Sequence, residues 1–254
     1  MRVITLNLNG IRAAARKGFF DWLAAQDAEL VCLQEIRAQL PQLEHDERFF
    51  PASYHCYYEL STRPGYSGVA VYSRQRPNRV IRGLGCAEFD GEGRYLELQF
   101  DAYSIASLYL PSGTSSETRQ LAKYRFMDQF YGYLETVRGE RELLITGDWN
   151  IAHRPIDLKN WRANQKNSGF LPAERAWMDR VLDEAGYVDV FRRLEAGPDH
   201  YTWWSNRGRA WDKNVGWRID YQISTPGLAE RARDTFIYTS ERFSDHAPLV
   251  MEYA

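Results

Sequence analysis

The chain has 254 residues, 44% of them hydrophobic and 26% charged, with a formal net charge of −2. That length suits one large domain spanning residues 1–254, and the composition is that of a soluble globular protein. The near-neutral balance excludes a globally basic nucleic-acid coater, but not a local basic face.

In chain order, Val3 to Leu6 reads as a strand and opens the chain without signal-peptide architecture. A short helix is expected around Phe19 and Leu23. Strand-like runs follow at Leu30 to Leu33, Gly68 to Tyr72 and Ser104 to Leu110. Cys32 lies inside the first of these and reads as a small core residue. Thr118 to Val137 has helical spacing, with Phe126, Phe130, Leu134 and Val137 on one face. Leu143 to Ile145 is a strand, Ala173 to Ala185 a helix, and Ile219 to Ile223 and Pro248 to Met251 are strands. Strands outnumber helices and alternate with them, which predicts an α/β protein with largely buried sheets in one compact domain. No apolar run approaches the roughly 18 residues that cross a bilayer. The three cysteines, Cys32, Cys56 and Cys86, have no CxxC spacing, which fits a reducing cytoplasm.

The informative pattern is where the polar residues fall. The first strand ends at Asn7 and Asn9, the second at Gln34 and Glu35, and Leu143 to Ile145 at Asp148 and Asn150. Asp220 interrupts an apolar strand, and Asp245-His246 precedes the last one. A carboxylate beside a core strand is unfavourable by several kcal/mol unless paired or bound to metal. One such residue is more often a cap or a turn; the recurrence at successive strand ends points to a cluster of hard oxygen ligands with one imidazole. Carboxylates and amides without thiolates favour Mg²⁺ or Mn²⁺ over Zn²⁺. Mg²⁺ takes only one or two carboxylates, and Glu35 and Asp245 are the expected direct ligands.

Two stretches carry local positive charge. Leu158 to Pro172 holds Lys159, Arg162 and Lys166 with no acid; Trp203 to Arg218 holds Arg207, Arg209, Lys213 and Arg218 against Asp212 alone. Aromatics interleaved with such cations suit a nucleotide backbone, although most of the 8 tryptophans are expected in the core. Trp177, at helical spacing, is one of these; for Trp203 and Trp217 pocket and core weigh about evenly. His45, His55 and His200 have no strand-end acid beside them and read as structural, as on balance does His153.

These residues carry a resemblance. "LNLNGIR", "LVCLQEIRA", "GYSGVAVYSR", "SLYLPSG", "TGDWNIAHRPIDLKNW", "NQKNSGFLPAERAW", "YTWWSNRG", "VGWRIDYQIS" and "FSDHAPL" resemble, in order, the signature blocks of the exonuclease III family of AP endonucleases, within the endonuclease/exonuclease/phosphatase superfamily. The likeness implies a DNase I-like four-layer α/β sandwich, with two packed mixed sheets flanked by helices. It implies a monomeric enzyme that cleaves double-stranded DNA 5′ to abasic sites and also acts on 3′ ends. It places Asn7, Asn9 and Asp245 near a metal held principally by Glu35. Asp148 then activates water, Asn150 holds the water or the phosphate, and Tyr109 and the Asp220-paired His246 touch the phosphate. Asn164, Asn167 and Arg209 are expected on DNA, and Trp203, Trp217 and Ile219 around the abasic sugar. Asn9 stands where some members have an aspartate, so weaker metal binding is expected there. Two other readings compete: a catalytically silent nucleic-acid-binding regulator, against which the intact charged set argues, and a lipid or inositol phosphate phosphodiesterase, against which "NQKNSGF" and "VGWRIDY" argue.

Overall fold

In the computed structural model, which describes residues 1–254, two six-stranded sheets pack face to face. The first half of the chain supplies β1 (Arg2–Asn7), β2 (Leu30–Gln34), β3 (His55–Glu59), β4 (Val69–Ser73), β5 (Arg79–Arg82), β6 (Tyr95–Gln99) and β7 (Tyr103–Tyr109). The second half supplies β8 (Glu142–Asp148), β9 (Val188–Asp189), β10 (Trp203–Trp204), β11 (Gly216–Trp217), β12 (Asp220–Ser224), β13 (Ala232–Ile237) and β14 (Leu249–Tyr253). One sheet has the order β13-β14-β1-β2-β4-β3, the other β5-β6-β7-β8-β12-β9, and β10-β11 form a separate ribbon. Only β1–β2 and β7–β8 are parallel.

Strand alternation builds the layers. Val3, Cys32 and Val71 face Leu98, Ile105 and Leu144 of the opposite sheet. Ile4, Leu6 and Leu33 face outward onto α1 (Ile11–Arg16) and α2 (Phe19–Ala24). On the other outer face, Leu108 and Ile145 meet α3 (Glu117–Val137) and α5 (Pro172–Asp179), the second following the short α4 (Trp161–Asn164). With both faces covered, the central strands read as continuous apolar runs. The expected α/β architecture of two packed sheets with helices on both outer faces is therefore the observed one.

The long helix starts where Ser116 accepts a hydrogen bond from the Arg119 N–H. Phe126, Phe130 and Leu134 are buried on its core face, as their spacing predicts. The helix expected from Ala173 to Ala185 is α-helical only to Asp179; Arg180–Glu184 is a π turn, closed by Ala185 N–H on the Arg180 carbonyl at 2.8 Å. Trp177 is core, its indole N–H on the Met127 carbonyl. Strands β3, β5 and β13 escape the sequence reading because they are sheet edges with mixed polarity. Strand β6 escapes because Glu97 interrupts it; the buried carboxylate accepts from Tyr95 and Tyr133, both at 2.6 Å. Two more short helices, α6 (Val190–Leu194) and α7 (Pro226–Glu230), complete the chain. No helix is long and apolar enough to cross a membrane.

Register brings the polar strand ends together. Asn7 lies opposite Gln34, Tyr109 opposite Asp148, and Asp148 opposite Asp220.

Candidate active site

The buried side chain of Asn7 joins the two sheets: its Nδ2 donates to Glu35 Oε1 and Asp148 Oδ2, both at 2.9 Å. Tyr109, ending β7, donates its hydroxyl to Glu35 Oε1 at 2.8 Å. After β8 the chain turns at Asn150, whose N–H closes onto Asp148 Oδ1 at 2.8 Å and whose Nδ2 donates to the Leu110 carbonyl at 2.9 Å. His246, just before β14, sets Nδ1 2.8 Å from Asp220 Oδ2 and Nε2 3.9 Å from Asp148 Oδ2. Asn9, Glu35, Arg37 and Asn150 all adopt left-handed backbone, with φ of 45°, 50°, 51° and 51°. Such strain at several non-glycine positions is concentrated at functional sites.

The neighbouring residues of "TGDWNIAH" anchor this turn. Trp149 is fully buried beneath the sheet beside Phe130, Trp177 and Tyr221. His153 is buried with Nε2 2.7 Å from Asp179 Oδ1, which suits its structural reading. His45 and His200 are surface residues, not core ones, with side chains 85% and 40% exposed.

Burial, helped by Asp220 and Glu35, raises the Asp148 pKa to about 7, against the pull of His246. Burial disfavours the His246 imidazolium, but Asp220, Asp148 and Asp245 outweigh it and lift the group to about 10. Burial likewise opposes ionisation of Asp245, yet His246, Asn9 and Trp203 hold it below the usual carboxylate range. Burial and the carboxylate of Glu35 push the Tyr109 phenol well up, so it is a neutral donor.

Two groups of atoms here are of metal-ligand type. Asp148, Asp220 and His246 bring ligand atoms within 4.8 Å of one another, but Asp220 is committed to His246 and an imidazolium cannot ligate. Glu35, Asn9 and Asp245 form the second group. Asn9 Nδ2 donates to Asp245 Oδ1 at 2.8 Å, and Trp203 Nε1 to Asp245 Oδ2 at 3.1 Å. Glu35 Oε2 is buried and receives no well-formed hydrogen bond; it faces the Arg37 guanidinium, which also reaches Asn9 Oδ1. A buried carboxylate oxygen held only by an ion pair, beside further hard oxygen donors, fits a divalent cation.

These groups open into a groove of ≈ 1130 Å³ whose walls include Asn164, Asn167, Trp203, Trp217 and Ile219. The two indoles meet edge-on, with centroids 6.3 Å apart. Asn167 Nδ2 donates to Asn164 Oδ1 at 2.8 Å. Lys159, Lys166 and Arg207 line the groove, together with Arg37. Asn7 and Asp220 lie behind the lining, and Arg209 is turned to Asp212 at 2.9 Å instead. Arg218, counted from sequence among the cations available to phosphate, is fully buried between Asp157 and Asp189, and so is corrected. Arg207 lines the groove as its basic stretch suggested, and Arg37 is the lining cation that sequence reasoning did not single out, though "LQEIRA" contains it.

The sequence matches the model described as Endonuclease/Exonuclease/phosphatase family over residues 4–246. The chain belongs to this family. The matched span of the endonuclease/exonuclease/phosphatase family takes in every site residue from Asn7 to His246. An exodeoxyribonuclease of Bacillus subtilis is 38% identical over 253 residues, covering 98% of this chain and 98% of its own. A DNA-(apurinic or apyrimidinic site) endonuclease of Dictyostelium discoideum is 33% identical over 98% of this chain and 69% of its own. An AP endonuclease structure from Archaeoglobus fulgidus superposes with a TM-score of 0.90 at 27% identity, covering 100% of this chain and 99% of that one.

Proposed function

We propose that the chain is a metal-dependent DNA repair nuclease that hydrolyses the phosphodiester 5′ to an abasic site, leaves a 3′-hydroxyl, and also acts on 3′ ends as exonuclease and phosphodiesterase. The observation that carries this reading is the Asp148–His246 pair on the floor of the groove with Asp220 behind it, an acid whose pKa is raised to about 7 beside an imidazolium. Asp148, ionised and held by Asn7 and Asn150, accepts a proton from the attacking water. His246 donates to a phosphate oxygen as charge develops, and Tyr109 does so once its hydroxyl turns from Glu35, each such donor being worth about 3 kcal/mol. Glu35, Asp245 and Asn9 would hold the cation, Mg²⁺ or Mn²⁺; when bound it polarises the phosphoryl group and stabilises the leaving oxygen. The amide of Asn9 adds no charge to that set.

Trp203, Trp217 and Ile219 form an apolar pocket sized by two crossed indoles, suited to an extruded sugar without a base. An abasic residue loses little stacking when it leaves the duplex, which favours it over intact nucleotides. Lys159, Lys166 and Arg207 line the approach, with Asn164 and Asn167 for the backbone. The names of the Bacillus and Dictyostelium relatives, an exodeoxyribonuclease and an AP endonuclease, support both halves of the proposal. One copy of the single domain carries every residue invoked, consistent with a monomer acting on DNA in the cytoplasm. The intact acid and imidazole set disfavours the silent regulator.

The test is incision of a duplex carrying one abasic analogue, with and without EDTA, beside a matched 3′-recessed duplex. Cleavage 5′ to the lesion that EDTA abolishes is the expected result. Cleavage of neither duplex at any divalent ion concentration would sink the reading.

A further inference from the structure

Lys123 sits in the second turn of α3 and Glu174 in α5, and both side chains are 0% exposed. Withdrawing an ammonium and a carboxylate from water is strongly unfavourable, and an apolar pair of similar volume would fill the space without that penalty. What an apolar pair could not do is hold backbone. Lys123 Nζ donates to Glu174 Oε1 at 2.6 Å and to the carbonyl of Asn150 at 2.8 Å. Glu174 Oε2 accepts from the N–H groups of Gly169 at 2.7 Å and Leu171 at 2.9 Å. Its Oε1 takes further donors from Gln120 and Ser168.

One ion pair thus grips two segments of the site from below. The first is the turn whose Asn150 lies in the left-handed region. The second is the loop after Asn167, where Gly169 has φ +92°. A Cβ on Gly169 would lie 3.2 Å from both the Asn150 carbonyl and the Trp217 ring, so that loop runs wedged between the catalytic turn and the indole wall. Ala152 N–H donates to the Gly169 carbonyl at 2.8 Å and ties the two segments directly. Burial pulls the Lys123 pKa down while Glu174 and, more distantly, Asp148 sustain its charge.

We propose that Lys123 and Glu174 are a positioning pair: they hold the Asn150 carbonyl and the Gly169–Leu171 backbone in one frame, fixing the water-orienting turn relative to the wall of the sugar pocket. Neither residue touches substrate. The inference rests on the nuclease reading above and adds to it the device that sets the geometry.

The test is the double variant Lys123→Met/Glu174→Gln, which removes both charges together and leaves no orphaned ion. Its fold is checked by circular dichroism and Tm. Abasic incision is then measured as kcat and KM, with DNA affinity measured separately in EDTA. The expected result is a folded protein whose kcat falls by about 10- to 100-fold, as small misplacements of reacting groups produce, while KM and DNA affinity stay close to those of the parent. Should the double variant not fold, Lys123→Gln alone leaves Glu174 its donors at Gly169, Leu171, Gln120 and Ser168 and slackens only the hold on the Asn150 carbonyl, and should show a smaller loss confined to kcat. Parental kcat in a folded variant, or a loss confined to KM, overturns the proposal while leaving the nuclease reading intact. A parent protein that cleaves neither duplex overturns both.

Discussion

Asp220 Oδ2 lies 2.8 Å from His246 Nδ1, and this contact decides what the other ring nitrogen presents to the groove. With Nδ1 fixed as a donor, Nε2–H points towards Asp148 and the phosphate position. Asp220 is buried, and its Oδ1 has no other partner, so its charge acts chiefly on the imidazole. Asp220→Asn removes that charge and lets His246 deprotonate. Turnover should fall by about 10²- to 10⁴-fold, as for other orienting and general acid–base groups, with DNA affinity in EDTA retained. Near-parental turnover would remove the pair from the chemistry.

Activity should follow a bell-shaped pH profile. Asp148 must be a carboxylate, and its raised pKa means that activity is lost as pH falls through about 7. His246 must be an imidazolium, and its raised pKa means that activity is lost only as pH rises towards about 10. A bound cation favours the carboxylate, so higher divalent ion concentrations should move the acidic limb to lower pH. Asp148→Asn should abolish cleavage while DNA still binds. Single-turnover rates across pH provide the measurement, and an acidic limb indifferent to the cation would contradict this arrangement.

Much of this site was legible because both parallel strand pairs end at the same edge of the sandwich, and hard ligands at strand ends mark that edge before the fold is known. Asn7, Glu35, Tyr109 and Asp148 converge as their positions suggested. Charge counting along the chain failed at Arg218, because whether an arginine faces solvent or two buried aspartates depends on contacts with β9 and the Asp157 turn, distant in sequence. Arg209 and Arg207 lie two residues apart, and only the loop conformation, with Arg209 at φ 55° and paired to Asp212, separates them. Lys123 was illegible for the same reason: a lysine between Ala122 and Tyr124 on a long helix looks solvated until Glu174 arrives from α5.

Metal binding should be visible without turnover. A ligand that binds only the native state stabilises it by about 2.7 kcal/mol at one hundred times Kd, so Mn²⁺ or Mg²⁺ should raise the Tm of the parent protein. Glu35→Gln removes the negative charge and replaces one of the two oxygens facing Asn7, Tyr109 and Arg37, and should abolish most of that rise together with turnover. An identical metal-induced shift in the variant, with circular dichroism unchanged, would move the cation elsewhere.

Arg218 should matter for stability. Burial penalises the Asp157 carboxylate, but Arg218 and Arg192 more than offset this and hold its pKa at about 2. Arg218→Met leaves Asp157 and Asp189 short of a partner, and breaking a buried pair in this way is unfavourable by about 3–5 kcal/mol. A depressed carboxylate pKa stabilises the fold above the unfolded-state value and ceases to as pH falls through the folded one. The deficit should therefore be full at neutral pH and shrink in strong acid. Denaturant unfolding at several pH values checks this; a deficit indifferent to pH would mean lost packing alone.

The indole of Trp217 has the most selective role. It pairs across the β10–β11 ribbon with Trp203, stands edge-on to Phe170, and closes over Gly169. Trp203 in turn bonds Asp245, so the pocket wall and the cation site share a side chain. Trp217→Ala opens the pocket without touching Asp148, His246 or Glu35. Abasic incision, which needs the extruded sugar held against the phosphate, should lose about 10- to 100-fold in kcat/KM, in the range for misplaced substrate. Trimming of a recessed 3′ end depends less on that wall and should lose much less. The two rates are measured on the same preparation, with Tm as the control for folding. Equal losses in both would show that Trp217 supports the groove as a whole and does not select the abasic sugar.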